Sequence, residues 1–205
     1  MQGAASRDTL PLFPLKTVLF PGGVLPLKVF EQRYVAMTKA CLRDGSAFGV
    51  CLITRGDEVP RTRAVSGEVS FALVGTKARI VSWDMPQLGI FHVRCEGLAR
   101  FQVRGHTVAS DGLVVGEVTE IAPEPARELA AEFKPVAKLL EILIERVGPQ
   151  NFAADLALTD ASWVGYRLAE LLPLPLTIKQ SMLEINDADV RLTALAQFLK
   201  KQGLL

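Results

Sequence analysis

The residues that could act as nucleophiles or metal ligands are few, and their spacing is wrong for most of that chemistry. His92 and His106 fall in neither an H-x-x-x-H nor an H-E-x-x-H pattern, the spacings that put two imidazoles on one helix face for zinc. Their neighbours predict a solvent-facing strand residue for His92 and a loop residue for His106. Cys41, Cys51 and Cys95 form no C-x-x-C, and their odd count and wide spacing argue against a disulfide framework. Three reduced, largely buried thiols are expected. A phosphate-binding loop would end in Gly-Lys-Ser or Gly-Lys-Thr. The nearest fragment, Gly75-Thr76-Lys77, has the wrong order and no upstream glycine. No G-x-S-x-G elbow occurs. Ser66, Ser70 and Ser181 have no distinctive context. Ser181 and Lys179 are two apart on an expected helix, so they do not face each other. Arg55, Arg61 and Arg63 cluster, but Asp57 and Glu58 lie among them, a poor basic patch for nucleic acid. No catalytic residue, cofactor site or metal site is expected.

The chain that must position these groups has 205 residues, 49% of them apolar and 22% charged, with a formal net charge of +1. That is a globular composition, with no global field to gather nucleic acid or anionic membrane. Met1 to Asp8 is short and polar, without the apolar core of a signal peptide. No stretch approaches the roughly 18 apolar residues of a membrane helix. A cytoplasmic protein is expected.

The chain changes character at Ala122-Pro123-Glu124-Pro125, where each proline disfavours helix in the residue before it. Before the joint, short β-like runs alternate with glycine and proline. Strands are expected over 10–15, 24–29, 48–54, 69–83, 90–96, 99–103 and 113–121. Gly75 marks a bend or bulge, Gly97 an interruption, and 85–89 a hairpin tip. One helix, 31–43, presents Tyr34, Met37, Ala40 and Cys41 on one face and ends at Gly45. Six or seven strands with one inserted helix suggest a small barrel or coiled sheet, whose closure removes exposed edges. Alternating Leu and Pro in the first strand suits an edge or rim. After the joint, Leu129, Phe133, Val136, Leu140, Leu143 and Val147 trace one helix face, with a kink or restart at Pro135. Further helices are expected over 161–172, capped by Thr159 or Asp160, over 177–184, and after Asn186 or Asp187 with Leu192, Leu195 and Leu199 inward.

Three blocks carry a family resemblance. The first is Leu10-Pro11-Leu12-Phe13-Pro14-Leu15, Val18-Leu19-Phe20-Pro21-Gly22 and Leu25-Pro26-Leu27-Lys28-Val29-Phe30-Glu31-Gln32-Arg33-Tyr34. The second is Val74-Gly75-Thr76-Lys77-Ala78-Arg79-Ile80 with Val93-Arg94-Cys95-Glu96-Gly97-Leu98-Ala99-Arg100-Phe101. The third is Leu168-Ala169-Glu170-Leu171-Leu172-Pro173-Leu174-Pro175 with Lys179-Gln180 and Leu183-Glu184. In this order the blocks resemble the N-terminal, substrate-binding domain of Lon proteases over about residues 9–200, in the short bacterial form that lacks the ATPase and peptidase. Glu31 and Arg33 read as structural, Glu31 near a helix start and Arg33 pairing a carboxylate or capping a carbonyl.

The expected fold is α+β: a PUA-like β-barrel or coiled-sheet subdomain over 8–122, then a helical-bundle subdomain over 123–205. The resemblance implies a non-catalytic module for unfolded or tagged protein segments, working with a protease or chaperone, with a part in homo-oligomer assembly. RNA or small-ligand binding on a PUA-like barrel is the alternative. A module that holds unfolded segments needs exposed apolar surface. Met85, Pro86 and Leu88 at the hairpin tip, with Trp83 before them, are the first candidates for it. Phe20 in the Phe20–Gly23 turn is the second, unless it plugs the barrel end.

Overall fold

The computed structural model describes residues 8–55, 70–153 and 156–205. Asp57, Glu58, Arg61, Arg63 and Ser66 lie outside the described residues. The first part of the chain runs β1 (Asp8–Leu15), β2 (Val24–Val29), α1 (Gln32–Asp44), β3 (Phe48–Arg55), β4 (Ser70–Phe71), β5 (Val74–Gln87), β6 (Ile90–Val108) and β7 (Val114–Glu120). Then come α2 (Lys134–Val147), α3 (Ala161–Leu171), α4 (Leu176–Glu184) and α5 (Ala188–Lys201). The fold is α+β, a strand-rich part holding α1 first and the other helices after.

The strands close on themselves. β1 pairs β7, β7 pairs β6, β6 pairs β5, β5 pairs β3, and β3 returns to β1. Only the β3–β1 contact is parallel. Leu10, Leu12, Cys51, Phe101, Val103 and Val118 fill the interior. β1 is a member of this ring and not the edge of an open sheet, yet its prolines keep the edge or rim character expected of them. Its first half, Asp8 to Leu12, pairs β7, and its second half, Leu12 to Leu15, pairs β3. Pro11 and Pro14 therefore each have a neighbour on one side only, so a missing amide donor is tolerated inside a closed ring.

β6 serves both the ring and an arm of the same sheet. Beyond the ring, its residues 91–96 pair β2, while β5 accompanies it from Val74↔Gln102 out to Gln87↔Ile90. β2, early β6 and late β5 thus form a three-stranded arm. Helix α1 covers one face of it: Tyr34, Val35, Met37 and Cys41 pack with Val29, Phe91, Val93 and Cys95. Gly45 ends α1 at φ 65°, a left-handed cap that costs glycine little.

Two glycines and one histidine differ from expectation. Gly97 does not interrupt its strand. It is buried where the Phe20–Gly23 turn crosses, and a Cβ there would run into the Phe20 carbonyl. The Gly22 amide donates to the Gly97 carbonyl at 2.7 Å and the Gly97 amide to Gly23 at 2.8 Å. At Gly75 the register shift falls just beyond, between Thr76 and Ala78. A Cβ on Gly75 would lie 2.5 Å from the Val50 carbonyl oxygen and 2.6 Å from the Phe101 ring, so the position demands close approach. His106 is a strand residue of β6, its ring edge-on to Phe71 at 5.2 Å.

The helices share a core that includes Val18, Phe20 and Leu52 from the strand-rich part. Pro135 does restart a helix: a short 3-10 turn, Ala131–Phe133, precedes α2, and the proline occupies its first turn, where no amide donor is needed. The buried face of α2 is Val136, Leu140 and Ile144, and Val147 is exposed. Ile144 continues the i, i+4 row that Leu143 and Val147 were expected to hold. Asp160 caps α3 by accepting from the Trp163 amide at 2.7 Å. Asp187 caps α5 through the Asp189 and Val190 amides.

Glu124, in the joint between the strands and the helices, is the centre of a buried charge cluster. Its side chain is 3% exposed and pairs with Arg191 and, at 3.6 Å, with Arg100. Ser162 and Tyr166 of α3 donate to it, Tyr166 at 2.6 Å. The Arg191 guanidinium lies over the Tyr166 ring at 3.9 Å. Both arginines also cap the end of α4. Arg100 donates to the carbonyls of Leu183 and Ile185 at 2.8 and 3.0 Å, and Arg191 to those of Met182 and Ile185 at 2.9 and 2.7 Å. These are the orphan acceptors of a helix C-terminus.

Candidate functional site

The arm ends in the β5–β6 hairpin. Gln87 pairs Ile90, and Leu88-Gly89 makes the turn with Gly89 at φ 81°. At the base, Trp83 packs on Phe91 with ring centroids 5.7 Å apart. Phe91 is buried against α1, so the aromatic pair fixes the hairpin to the body. Beyond it the side chains turn to solvent. Leu88 is 95% exposed, Trp83 54% and Met85 39%, and Pro86 is exposed as well. Asp84 accepts from the Met85 amide at 2.7 Å, bracing the strand end.

Among the described residues, this part of β5 is also an open edge. β5 pairs β3 only at Thr76, Lys77 and Ala78. From Arg79 to Gln87 its one strand partner among the described residues is β6. Val81, 47% exposed, extends the apolar row. An open edge with exposed Val, Trp and Met offers backbone donors and acceptors to an extended chain, and apolar contact to its side chains.

The arm's uncovered face forms a shallow groove of about 530 Å³ beside the tip. Lys28 of β2, His92 of β6 and Asp84 of β5 lie in one cross-strand row, and Pro26, Arg94 and Ser82 in the next. Trp83 belongs to the groove's lining as well as to the tip. Arg94 donates to the carbonyls of Gln150 and Phe152 at 3.1 and 3.4 Å, tying the arm to the helical part.

Phe20, the second sequence candidate, is corrected. It is 0% exposed, packs against Tyr166 at 5.8 Å and belongs to the helical core. Its turn is held from three sides: Gly97 of β6, the Thr76 hydroxyl donating to the Leu19 carbonyl at 2.6 Å, and Arg167 of α3 donating to the Pro21 carbonyl at 2.9 Å. A partner cannot reach the ring.

The remaining chemistry-bearing residues are engaged elsewhere. The Ser181 hydroxyl donates to the Thr177 carbonyl at 3.1 Å, and the Lys179 ammonium to the Glu170 carbonyl at 2.6 Å, so the two form no dyad. Arg33 bonds both Glu31, at 2.8 Å, and the Gly112 carbonyl, at 3.0 Å. Cys41, Cys51 and Cys95 are free and buried. Burial pushes the Cys51 thiol up to about 12. Burial and the nearby Cys41 do the same for Cys95. Among the described residues, no group of three His, Cys, Asp or Glu could hold a metal ion, and no helix is long and apolar enough to cross a membrane.

Sequence reasoning missed Val81, Lys28 and His92 as parts of this surface. Val81 was read only as part of a strand, and the other two meet through cross-strand register. Residues 9–201 match the family described as the ATP-dependent protease La (LON) substrate-binding domain. The chain is similar to Lon protease 2 of Myxococcus xanthus, 30% identical over 95% of this chain and 24% of that protein. It is similar as well to Lon protease of Anaeromyxobacter dehalogenans, 28% identical over 94% of this chain and 23% of that one. The chain thus spans about a quarter of the length of these relatives. Among solved structures, a Lon N-terminal domain protein from Xanthomonas campestris superposes with a TM-score of 0.74 at 38% identity, covering 93% of this chain and 98% of that one. The N-terminal domain of the Mycobacterium avium complex Lon protease shares the fold, with a TM-score of 0.64 at 20% identity over 94% and 98% of the two chains.

Proposed function

The chain belongs to the substrate-binding domain family of ATP-dependent protease La (Lon), and on that premise we propose that it binds unfolded or tagged protein segments without turning them over. The observation that carries the reading is the exposed apolar row of Trp83, Met85 and Leu88 on an open strand edge. A soluble surface rarely keeps such a row without a use. Methionine suits varied partners because its thioether adapts its shape. The hairpin base, anchored by Trp83 on Phe91, presents the row at little ordering cost.

Hydrolysis of ATP or peptide is not part of this reading. The chain has no phosphate-binding loop, and Ser181 and Lys179 are bonded apart. A protease or chaperone would act on what the module holds. The experiment is the Met85→Ser, Leu88→Ser double variant, titrated against a labelled, permanently unfolded protein. Burying two such side chains contributes about 1.5–3 kcal/mol each, so affinity should fall at least tenfold. Unaltered affinity would place binding elsewhere.

A further inference from the structure

The groove beside the tip suggests which segments are held. Lys28 and His92 face each other across the β2–β6 pair and both are exposed. No side-chain hydrogen bond or ion pair among the described residues involves either. Arg94, in the adjacent row, spends part of its guanidinium on the Gln150 and Phe152 carbonyls but keeps its charge at the groove. The opposing charge is Asp84, whose carboxylate is turned to the Met85 amide. The next carboxylate along β6, Glu96, is paired with Arg79 at 3.0 Å. The unneutralised charge at the groove is therefore positive, in a protein of net charge +1. It lies against the same Trp83 that begins the apolar row.

We infer that the groove reads acidic residues next to an apolar anchor: the preferred occupant is an extended segment of a partner polypeptide whose apolar side chains meet Trp83, Met85 and Leu88 and whose adjacent Asp or Glu meets Lys28, His92 and Arg94. This rests on the binding reading above and adds a charge preference to it. In an extended segment successive side chains alternate between faces. A strand laid along the edge at Arg79 to Gln87 can therefore send one set to the apolar row and the other to the groove.

The test uses three synthetic peptides with one apolar core and flanks of Asp/Glu, Ser/Gln or Lys, titrated against the full chain by fluorescence anisotropy. The acidic peptide should bind about three- to tenfold more tightly than the lysine peptide at low salt, the range expected of exposed charge pairs, and the gap should close as salt rises. Lys28→Gln with His92→Gln should narrow it, and Lys28→Glu should abolish or reverse it. Arg94 is left intact because it also holds the arm to the helical part. Met85→Ser with Leu88→Ser should weaken all three peptides alike. Equal binding of the three by the parent, or a preference that survives Lys28→Glu, overturns the inference while leaving the binding reading in place. No binding of any peptide overturns both. Should an oligouridine bind more tightly than the acidic peptide, and lose that binding in Lys28→Glu, the groove belongs to nucleic acid and the inference falls.

Discussion

A carboxylate as buried as that of Glu124 is tolerable only when every lone pair is used, because an unpaired buried charge is costly. Here Arg191, Arg100, Ser162 and Tyr166 supply the partners. Burial works to raise the Glu124 pKa. The hydrogen bonds of Arg191, Ser162 and Tyr166, with the Arg191 charge, outweigh it and hold the carboxyl below its ordinary value. A folded pKa below the unfolded one stabilises fully above the ordinary glutamate range, and that contribution is lost as pH falls through the folded value. Glu170 has the opposite sign. Burial raises its pKa more than Arg167 and Lys179 lower it, so its contribution is present in acid and lost as pH rises. Glu124→Gln should therefore cost about 3–5 kcal/mol at neutral pH, the range for breaking a buried pair, and should flatten the loss of stability below the ordinary glutamate range. Urea melts from neutral to acid pH would measure both. A Glu124→Gln protein as stable as the parent would refute the assignment. The thiols give a second test. With Cys51 and Cys95 near 12 and buried, thiolate is scarce at neutral pH. Ellman's reagent should label them slowly in the folded protein and promptly in denaturant.

At the scale of elements, the hairpin should be separable from the core. Met85 and Leu88 stand in solvent while Trp83 and Phe91 hold the base. Met85→Ser with Leu88→Ser should therefore leave the thermal midpoint within a few degrees of the parent, because surface substitutions are usually worth less than about 0.5 kcal/mol. A large drop would mean that the tip is packed. Gly97→Ala should do the reverse. It leaves the tip intact but forces a Cβ against the Phe20 carbonyl, and the midpoint should fall clearly. Local signals made many elements legible: the αL glycine after α1, the aspartate caps of α3 and α5, and the Pro-Gln-Leu-Gly tip. What stayed illegible depends on contacts distant in sequence. Gly97 read as a strand break because the turn that crosses it, Phe20–Gly23, lies far earlier in the chain. The prolines of β1 suited an edge or rim, and each does lie where the strand has one neighbour, but nothing local says that the strand divides its length between β7 and β3. The groove needs Lys28, Asp84 and His92 in one row. One trace of the charge cluster was visible: Arg191 is four residues before Leu195 on the apolar face of α5, and a charge at that spacing needs a buried partner.

For the molecule as a whole, the question is whether the strands and helices on either side of residues 122–125 unfold as one. The contacts across the joint are of two kinds. Val18, Phe20 and Leu52 enter the helical core. Arg100 caps α4, Gln180 donates to the Val74 carbonyl at 2.9 Å, Arg167 reaches Pro21, and Arg94 reaches Gln150 and Phe152. Residues 1–122 alone would expose a fully buried phenylalanine and leave Arg100 without its carbonyl partners. That segment should therefore lack the stability of the whole chain. The chain carries two tryptophans, Trp83 in the arm and Trp163 at the start of α3, one on each side of the joint. Trp163→Phe leaves fluorescence that reports on the arm, and Trp83→Phe leaves fluorescence that reports on the helices. If the contacts couple the two sides, each variant's fluorescence should give the same urea midpoint and slope as its own circular dichroism at 222 nm, the sign of a single transition. Within either variant, a fluorescence midpoint apart from the circular dichroism would show that one side melts before the other. A 1–122 fragment with the parent's midpoint would show that the strands need no helices, and the joint would then be a true boundary.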